Sequence, residues 1–286
     1  MMGMPAHRSP HLRAMPYILC VLLSCVCFTR SARSALELNA LPPAERSCAS
    51  PEALGLAAGS VSAAYHDSRA SVPSRIAGAY GYRPFGLAAV EVFAFCGKMT
   101  LLHPGAGIAF SYNSLTGPGY AEHVVSLSLG VSRDHLWLQP GVRLGQVTAP
   151  GPYGGRCIVF DLLTYAYVTP GLRVSFSAAN AFGSGLNGTG GEVPRRVGAG
   201  LGYAVSDRVA CGIRVEKENG MRTALSTGME WQPMRGFFVR LGSCTFPREF
   251  SLGLGLRVGG LGLDVASTVN FDLGMTHEAG IRYLWK

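Results

Sequence analysis

The chain is poor in charge. Lys, Arg, Asp and Glu make up 15% of its 286 residues, where a soluble domain carries about 25%. Much of the surface must therefore meet something other than water. With 48% apolar residues, low charge also excludes a disordered chain. Long apolar runs are missing as well: beyond residue 34 no stretch stays apolar for 18 residues, which excludes a membrane-spanning helix. Helical periodicity is absent, which counts against an α/β enzyme. There is no G-x-S-x-G elbow, no H-E-x-x-H and no P-loop. The Gly-rich runs Gly198 to Tyr203 (GAGLGY) and Gly253 to Gly260 (GLGLRVGG) lack a strand-to-helix setting and read as packing space, not as phosphate-binding loops. His66, His103, His123, His135 and His277 do not pair at metal-ligand spacing, and Asp134-His135 reads as a turn rather than part of a hydrolase triad. Asn187-Gly188-Thr189 has the glycosylation pattern. No catalytic residue, metal or cofactor is expected.

The first 34 residues read as an export signal. His7, Arg8 and Arg13 give a basic start, Ala14 to Phe28 is apolar, and Ala32-Arg33-Ser34 offers cleavage after Ser34. Leu22 to Cys25 (LLSC) is an alternative lipoprotein box that would lipidate Cys25. The signal holds Arg8, Arg13, Arg30 and Arg33 and no acid, so the charge falls from +8 (25 basic, 17 acidic) to +4 (21 basic, 17 acidic). The basic balance is thus partly the leader's, and no nucleic-acid partner is implied. Cys20, Cys25 and Cys27 leave with the leader; Cys48, Cys96, Cys157, Cys211 and Cys244 remain, odd in number and without zinc-ligand spacing.

What is present is alternation. Val209, Cys211, Ile213 and Val215 are apolar while Arg208, Arg214 and Glu216 between them are charged. Asn219-Gly220 reads as a two-residue turn, after which Met221, Leu225, Met229 and Trp231 oppose Arg222, Ser226 and Glu230. Phe237, Val239 and Leu241 oppose Phe238, Arg240 and Gly242; Phe250 to Val258 and Leu261 to Val265 continue the pattern. Period 2 with one greasy face marks strands. A greasy face sustained for so long fits lipid outside and a polar lumen inside.

These features predict an all-β, transmembrane antiparallel β-barrel of about 14 strands, with a signal at 1–34, an irregular plug-like segment at 35–56 and the barrel at 57–286. Strands are expected near 57–66, 74–82, 86–96, 99–112, 120–132, 134–147, 156–168, 170–181, 195–205, 208–218, 220–231, 235–243, 248–258, 260–269 and 274–285, one of the first two being a plug or loop. Ser206-Asp207, Asn219-Gly220 and Gly259-Gly260 read as tight turns, and 148–155 and 182–194 as exposed loops. Trp137, Tyr203, Trp231, Tyr283 and Trp285 suit an interfacial girdle.

Arg208, Arg214, Glu216, Arg222, Glu230, Arg240, Arg257, Asp264, Glu278 and Arg282 should point inward. Charge ladders between strands account for most of them, since interior polar groups must pair. Arg214, Arg222, Arg240, Arg257 and Arg282 are also candidates to meet an anionic head group, with charge reversal at Arg240 expected to lower uptake and leave folding intact. His103-Pro104-Gly105 interrupts an expected strand, making Pro104 and Gly105 a candidate kink in the wall.

Ala121 to Gly145, Phe160 to Gly183, Glu192 to Glu218 and Leu263 to Trp285 together resemble the FadL-related outer-membrane family, in the branch with the PorV-type barrels. The shared pattern is a strand with an early Asp, a P-x-L hairpin, a strand ending in Asn, a Pro-led Gly-rich strand and a closing LG-x-TH. An Asn-Pro-Ala signature precedes the family's first strand; here Ser50-Pro51-Glu52-Ala53-Leu54 stands in that place. The resemblance implies a 14-stranded barrel in the bacterial outer membrane, in contact with its lipid, that imports long-chain fatty acids or similar hydrophobic small molecules. The alternative it implies is a PorV-like barrel acting in protein secretion or a structural role. Gly280, Tyr283 and Trp285 in the closing strand resemble the signal read by the barrel-assembly machinery.

Overall fold

The computed structural model describes residues 75–83, 89–100, 106–133, 135–150, 154–169, 171–182, 185, 187 and 193–285. The expected signal at 1–34, the plug-like segment at 35–56, the strand near 57–66, Cys25, Pro104 and Gly105 lie outside the described residues.

Fourteen strands form one closed antiparallel barrel. They are β1 (Arg75–Arg83), β2 (Glu91–Thr100), β3 (Ala106–Gly117), β4 (Tyr120–Arg133), β5 (Leu136–Thr148), β6 (Gly155–Tyr167) and β7 (Leu172–Ala179), followed by β8 (Arg196–Ser206), β9 (Val209–Glu218), β10 (Ala224–Met234), β11 (Phe237–Thr245), β12 (Arg248–Val258), β13 (Leu261–Asn270) and β14 (Gly274–Trp285). Each pairs with its sequence neighbours, and β1 closes on β14 from Arg75↔Trp285 to Arg83↔His277. Closure leaves no edge strand and pairs the wall's backbone, the condition for crossing lipid.

Alternate residues of each strand are buried and exposed. Along β12, Phe250, Leu252, Leu254 and Leu256 face out, whereas Ser251, Gly253 and Gly255 are buried. β13 turns Leu261, Leu263 and Val265 out and Gly262, Asp264 and Ala266 in. The outward register is apolar around the wall, with Leu127, Leu144, Ile158, Leu201, Ile213 and Ile281 among its exposed side chains. A one-residue slip would turn the charges onto lipid.

The connections separate the two ends. One end carries the start of β1, the end of β14 and the tight turns Asp207-Arg208, Arg235-Gly236 and Gly259-Gly260. The other carries the longer connections 149–154 and 180–195. Short periplasmic turns and longer extracellular loops make the first the inner end and the second the outer. Gly236 has φ +83°, and a Cβ there would collide with the Arg257 carbonyl; the turn requires glycine.

Several expectations are corrected. The stretch 99–112 is divided, β2 ending at Thr100 and β3 beginning at Ala106, antiparallel to it with Thr100↔Gly107. Asn219-Gly220 is not a two-residue hairpin: β10 starts at Ala224, so 219–223 form a longer outer connection. Arg208 and Arg222 consequently sit in connections and are exposed instead of facing the lumen. Trp137 faces inward, across from Tyr165, and does not belong to the girdle. Tyr203, Trp231 and Tyr283 do face out near the inner end, where amphipathic rings meet head groups.

Candidate functional site

The inward faces of β8–β14 carry a charge ladder. On β11, Arg240 Nε donates to Glu230 Oε2 of β10 at 2.9 Å, and Nη1 donates to Asp264 Oδ1 of β13 at 2.9 Å. Arg282 of β14 reaches the other oxygen of Asp264 at 3.4 Å. Arg240 and Arg282 are each 2% exposed. The Arg240–Asp264 bond passes over the intervening β12, which has Gly255 at the crossing. A Cβ on Gly255 would lie 2.5 Å from Asp264 Oδ1 and 3.0 Å from Arg240 Nη1. The pattern recurs at β8: Arg214 of β9 donates across Gly198 to Ser177 Oγ of β7 at 2.9 Å, and a Cβ on Gly198 would stand 2.8 Å from Arg214 Nη2. Gly198, Gly200 and Gly202 all face inward, so the GAGLGY run is packing space. Arg214 also pairs with Glu216 at 2.5 Å, and Arg196 holds Glu216 at 3.2 Å and Glu218 at 2.6 Å. Arg257 lies over the inward Phe238 ring, 5.2 Å from its centroid, with Arg240 at 5.5 Å on the same ring.

The wall made by β2–β7 is of different character. Toward the outer end, Val124, Val147, Cys157 and Val159 form an apolar cluster with Tyr120 packed against it. Val193, from the connection between β7 and β8, is part of the same cluster. Asn180 anchors that connection: its N–H donates to Asp161 Oδ1 at 2.9 Å and its Nδ2 to the Val193 carbonyl at 2.6 Å. Its φ of +53° is one that Asn tolerates better than most residues. Glu122, wholly buried, accepts from Tyr120 Oη. Midway, Arg143 pairs with Asp161 at 2.5 Å. Toward the inner end stand Trp137, Tyr165, Tyr167 and Arg173. The guanidinium of Arg173 is 5.6 Å from the Tyr165 centroid and 5.2 Å from that of Tyr167.

Of the five arginines expected to meet an anion, Arg214, Arg240 and Arg282 are in ion pairs, Arg257 lies against Phe238, and Arg222 is in an outer connection. Charge reversal at Arg240 would place a third acid between Glu230 and Asp264, so it would disturb folding, contrary to expectation. Arg143, Arg173 and Arg196 also line the lumen, outside the set expected from the charged alternation. The signal was there: Arg173, Ser175 and Ser177 alternate with Leu172, Val174 and Phe176. In the closing strand Tyr283 faces out and Gly280 faces in; of Trp285 only the backbone is described, paired with Arg75. Cys157, Cys211 and Cys244 are free thiols.

An even number of antiparallel strands, an outward apolar band, an inner-end row of aromatics and a polar interior define an outer-membrane-type β-barrel, placing the chain in the bacterial outer membrane. No protein-family model and no curated protein matches the chain. Solved structures similar to it include the KdgM porin, 11% identical with a TM-score of 0.46, and a mutant of Rh. blastica porin, 10% identical with a TM-score of 0.44. In both cases 74% of this chain and 99% of the other are covered.

Proposed function

We propose that the barrel carries hydrophobic carboxylates, long-chain fatty acids among them, across the outer membrane. The observation behind this reading is the two-sided lining of the lumen. The wall from β8 to β14 is lined by successive ion pairs, whereas the wall from β4 to β7 sets one ion pair, Arg143–Asp161, between an outer cluster of valines and an inner group of aromatic rings. An amphiphile can keep its head against the polar side while its tail slides along the apolar one. Neither a uniformly charged nor a uniformly greasy lumen would hold both parts. The alternative, a barrel that shuttles proteins, needs outer loops large enough to grip a partner; the longest connection between neighbouring strands, 180–195, is partly tied down inside by Val193.

The test has two parts. Native mass spectrometry of the detergent-purified chain should find co-purified fatty acid, and proteoliposomes holding it should take up labelled oleate. Repeated absence of lipid together with no uptake above empty vesicles would sink the reading.

A further inference from the structure

We propose that Trp137, Tyr165, Tyr167 and Arg173 form a binding station for aromatic carboxylates at the inner end of the lumen. It rests on the transport reading and adds a second substrate class, aromatic acids, to the fatty acids named there. The rings come from paired positions: Trp137 faces Tyr165 across β5–β6, and Tyr167 faces Arg173 across β6–β7. Trp137 leans over Gly130 of β4, where any Cβ would strike its six-membered ring. Glycine therefore lets the indole lie against the wall. Tyr165 lies nearly parallel to it, at 16° with centroids 6.0 Å apart. As a stacked pair they form the floor of the recess. Tyr167 stands across its edge at 83° to Tyr165, centroids 5.8 Å apart. Each of the three ring residues keeps part of its surface exposed, and Arg173 keeps 8%.

The chemistry of the recess selects the ligand. A planar π-system stacks on such a floor in the offset geometry that aromatic pairs prefer. Arg173, held over both tyrosines with Nη1 donating to Tyr167 Oη at 3.3 Å, fixes a positive charge beside it, suited to a carboxylate. The polar groups near the floor are engaged with one another. Trp137 Nε1 donates to Gln139 Oε1 at 3.1 Å, and Gln139 Nε2 to Ser128 Oγ at 2.6 Å. A polyhydroxylated sugar would have to break that chain; a ring with a single anionic group would not. The station thus favours an aromatic acid over an aliphatic acid or a neutral aromatic.

The experiment is calorimetric titration of the full chain in detergent with 3-phenylpropanoate, 3-cyclohexylpropanoate and 3-phenylpropan-1-ol. Phenylpropanoate should bind about tenfold tighter than either of the others. Trp137→Ala should erase the phenyl-over-cyclohexyl preference and Trp137→Phe should keep it. Arg173→Gln should erase the acid-over-alcohol preference and Arg173→Lys should restore part of it; each variant is first checked for heat-modifiable migration. Equal binding of the three ligands, or an unchanged preference in Trp137→Ala, would overturn the station and leave the rings as packing for the hairpins. Oleate uptake distinguishes the two readings: if it persists while the preference is missing, the station fails and transport stands.

Discussion

The ladder on the charged wall depends on a side chain that β12 does not have. Gly255 leaves room for Arg240 to reach Asp264 two strands away. The atoms a Cβ would meet are side-chain ends, which elsewhere would swing aside. Here they are pinned in a buried ion pair, so relief means breaking it. Gly255→Ala should therefore cost about 1–3 kcal/mol, the usual range for overpacking, read as a lowered urea midpoint for the barrel in micelles. Arg240→Ala should cost more, about 3–5 kcal/mol, because it strands Glu230 and Asp264 as buried carboxylates. Replacing Glu230, Arg240, Asp264 and Arg282 together by apolar residues should recover much of that loss, since the desolvation of a buried pair offsets most of its attraction. If Arg240→Ala were as stable as the parent, the ladder would have no structural role.

At the scale of the element, period 2 made most of the wall legible. From Arg196 onward, Arg208 and Arg222 in the connections apart, the inward and outward sets expected from alternation are those observed, because a misplaced Arg in lipid costs enough to force the register. Arginine at Leu254, mid-strand and outward, should accordingly cost about 2–4 kcal/mol, and at Val258, beside the turn, roughly 0–1 kcal/mol. Equal costs at the two depths would argue against the placement of the bilayer. What alternation could not settle lies where a residue suits either environment. Trp137 has a greasy body and a polar N–H, so it fits the girdle and the lumen equally well; only the gap at Gly130 decides for the lumen. Turn chemistry misled at Asn219-Gly220, where Gly220 does take a positive φ of 77° but within a longer connection. The aromatic register of β14 also bears on delivery: if the assembly machinery reads this strand, Tyr283→Ala should lower the folded fraction in membranes with little effect on refolding in detergent.

For the whole molecule, the division of the lumen into two sides follows from where each half of the chain spends its inward positions. β8–β14 use them for Arg, acids and glycine; β2–β7 use them largely for Val, Ser and aromatics. The sequence made the first half of this division readable, since charges stand out against apolar neighbours. The second half was hidden, because an inward valine looks no different from an outward one until the barrel closes. Most charges on the polar side are matched in ion pairs, so an open path along it should select only weakly between small ions. Glu218 offers a lever. It is only partly buried, near the outer end of β9, and holds Arg196 at 2.6 Å. In Glu218→Gln the arginine keeps Glu216 at 3.2 Å, so the wall stays folded while its charge rises by one. In a planar bilayer under a KCl gradient, the reversal potential should then move toward that of an anion pathway. A conducting barrel whose potential does not move would mean that ions do not pass this wall. A barrel that never conducts, in parent or variant, would shift the balance to a role without transport.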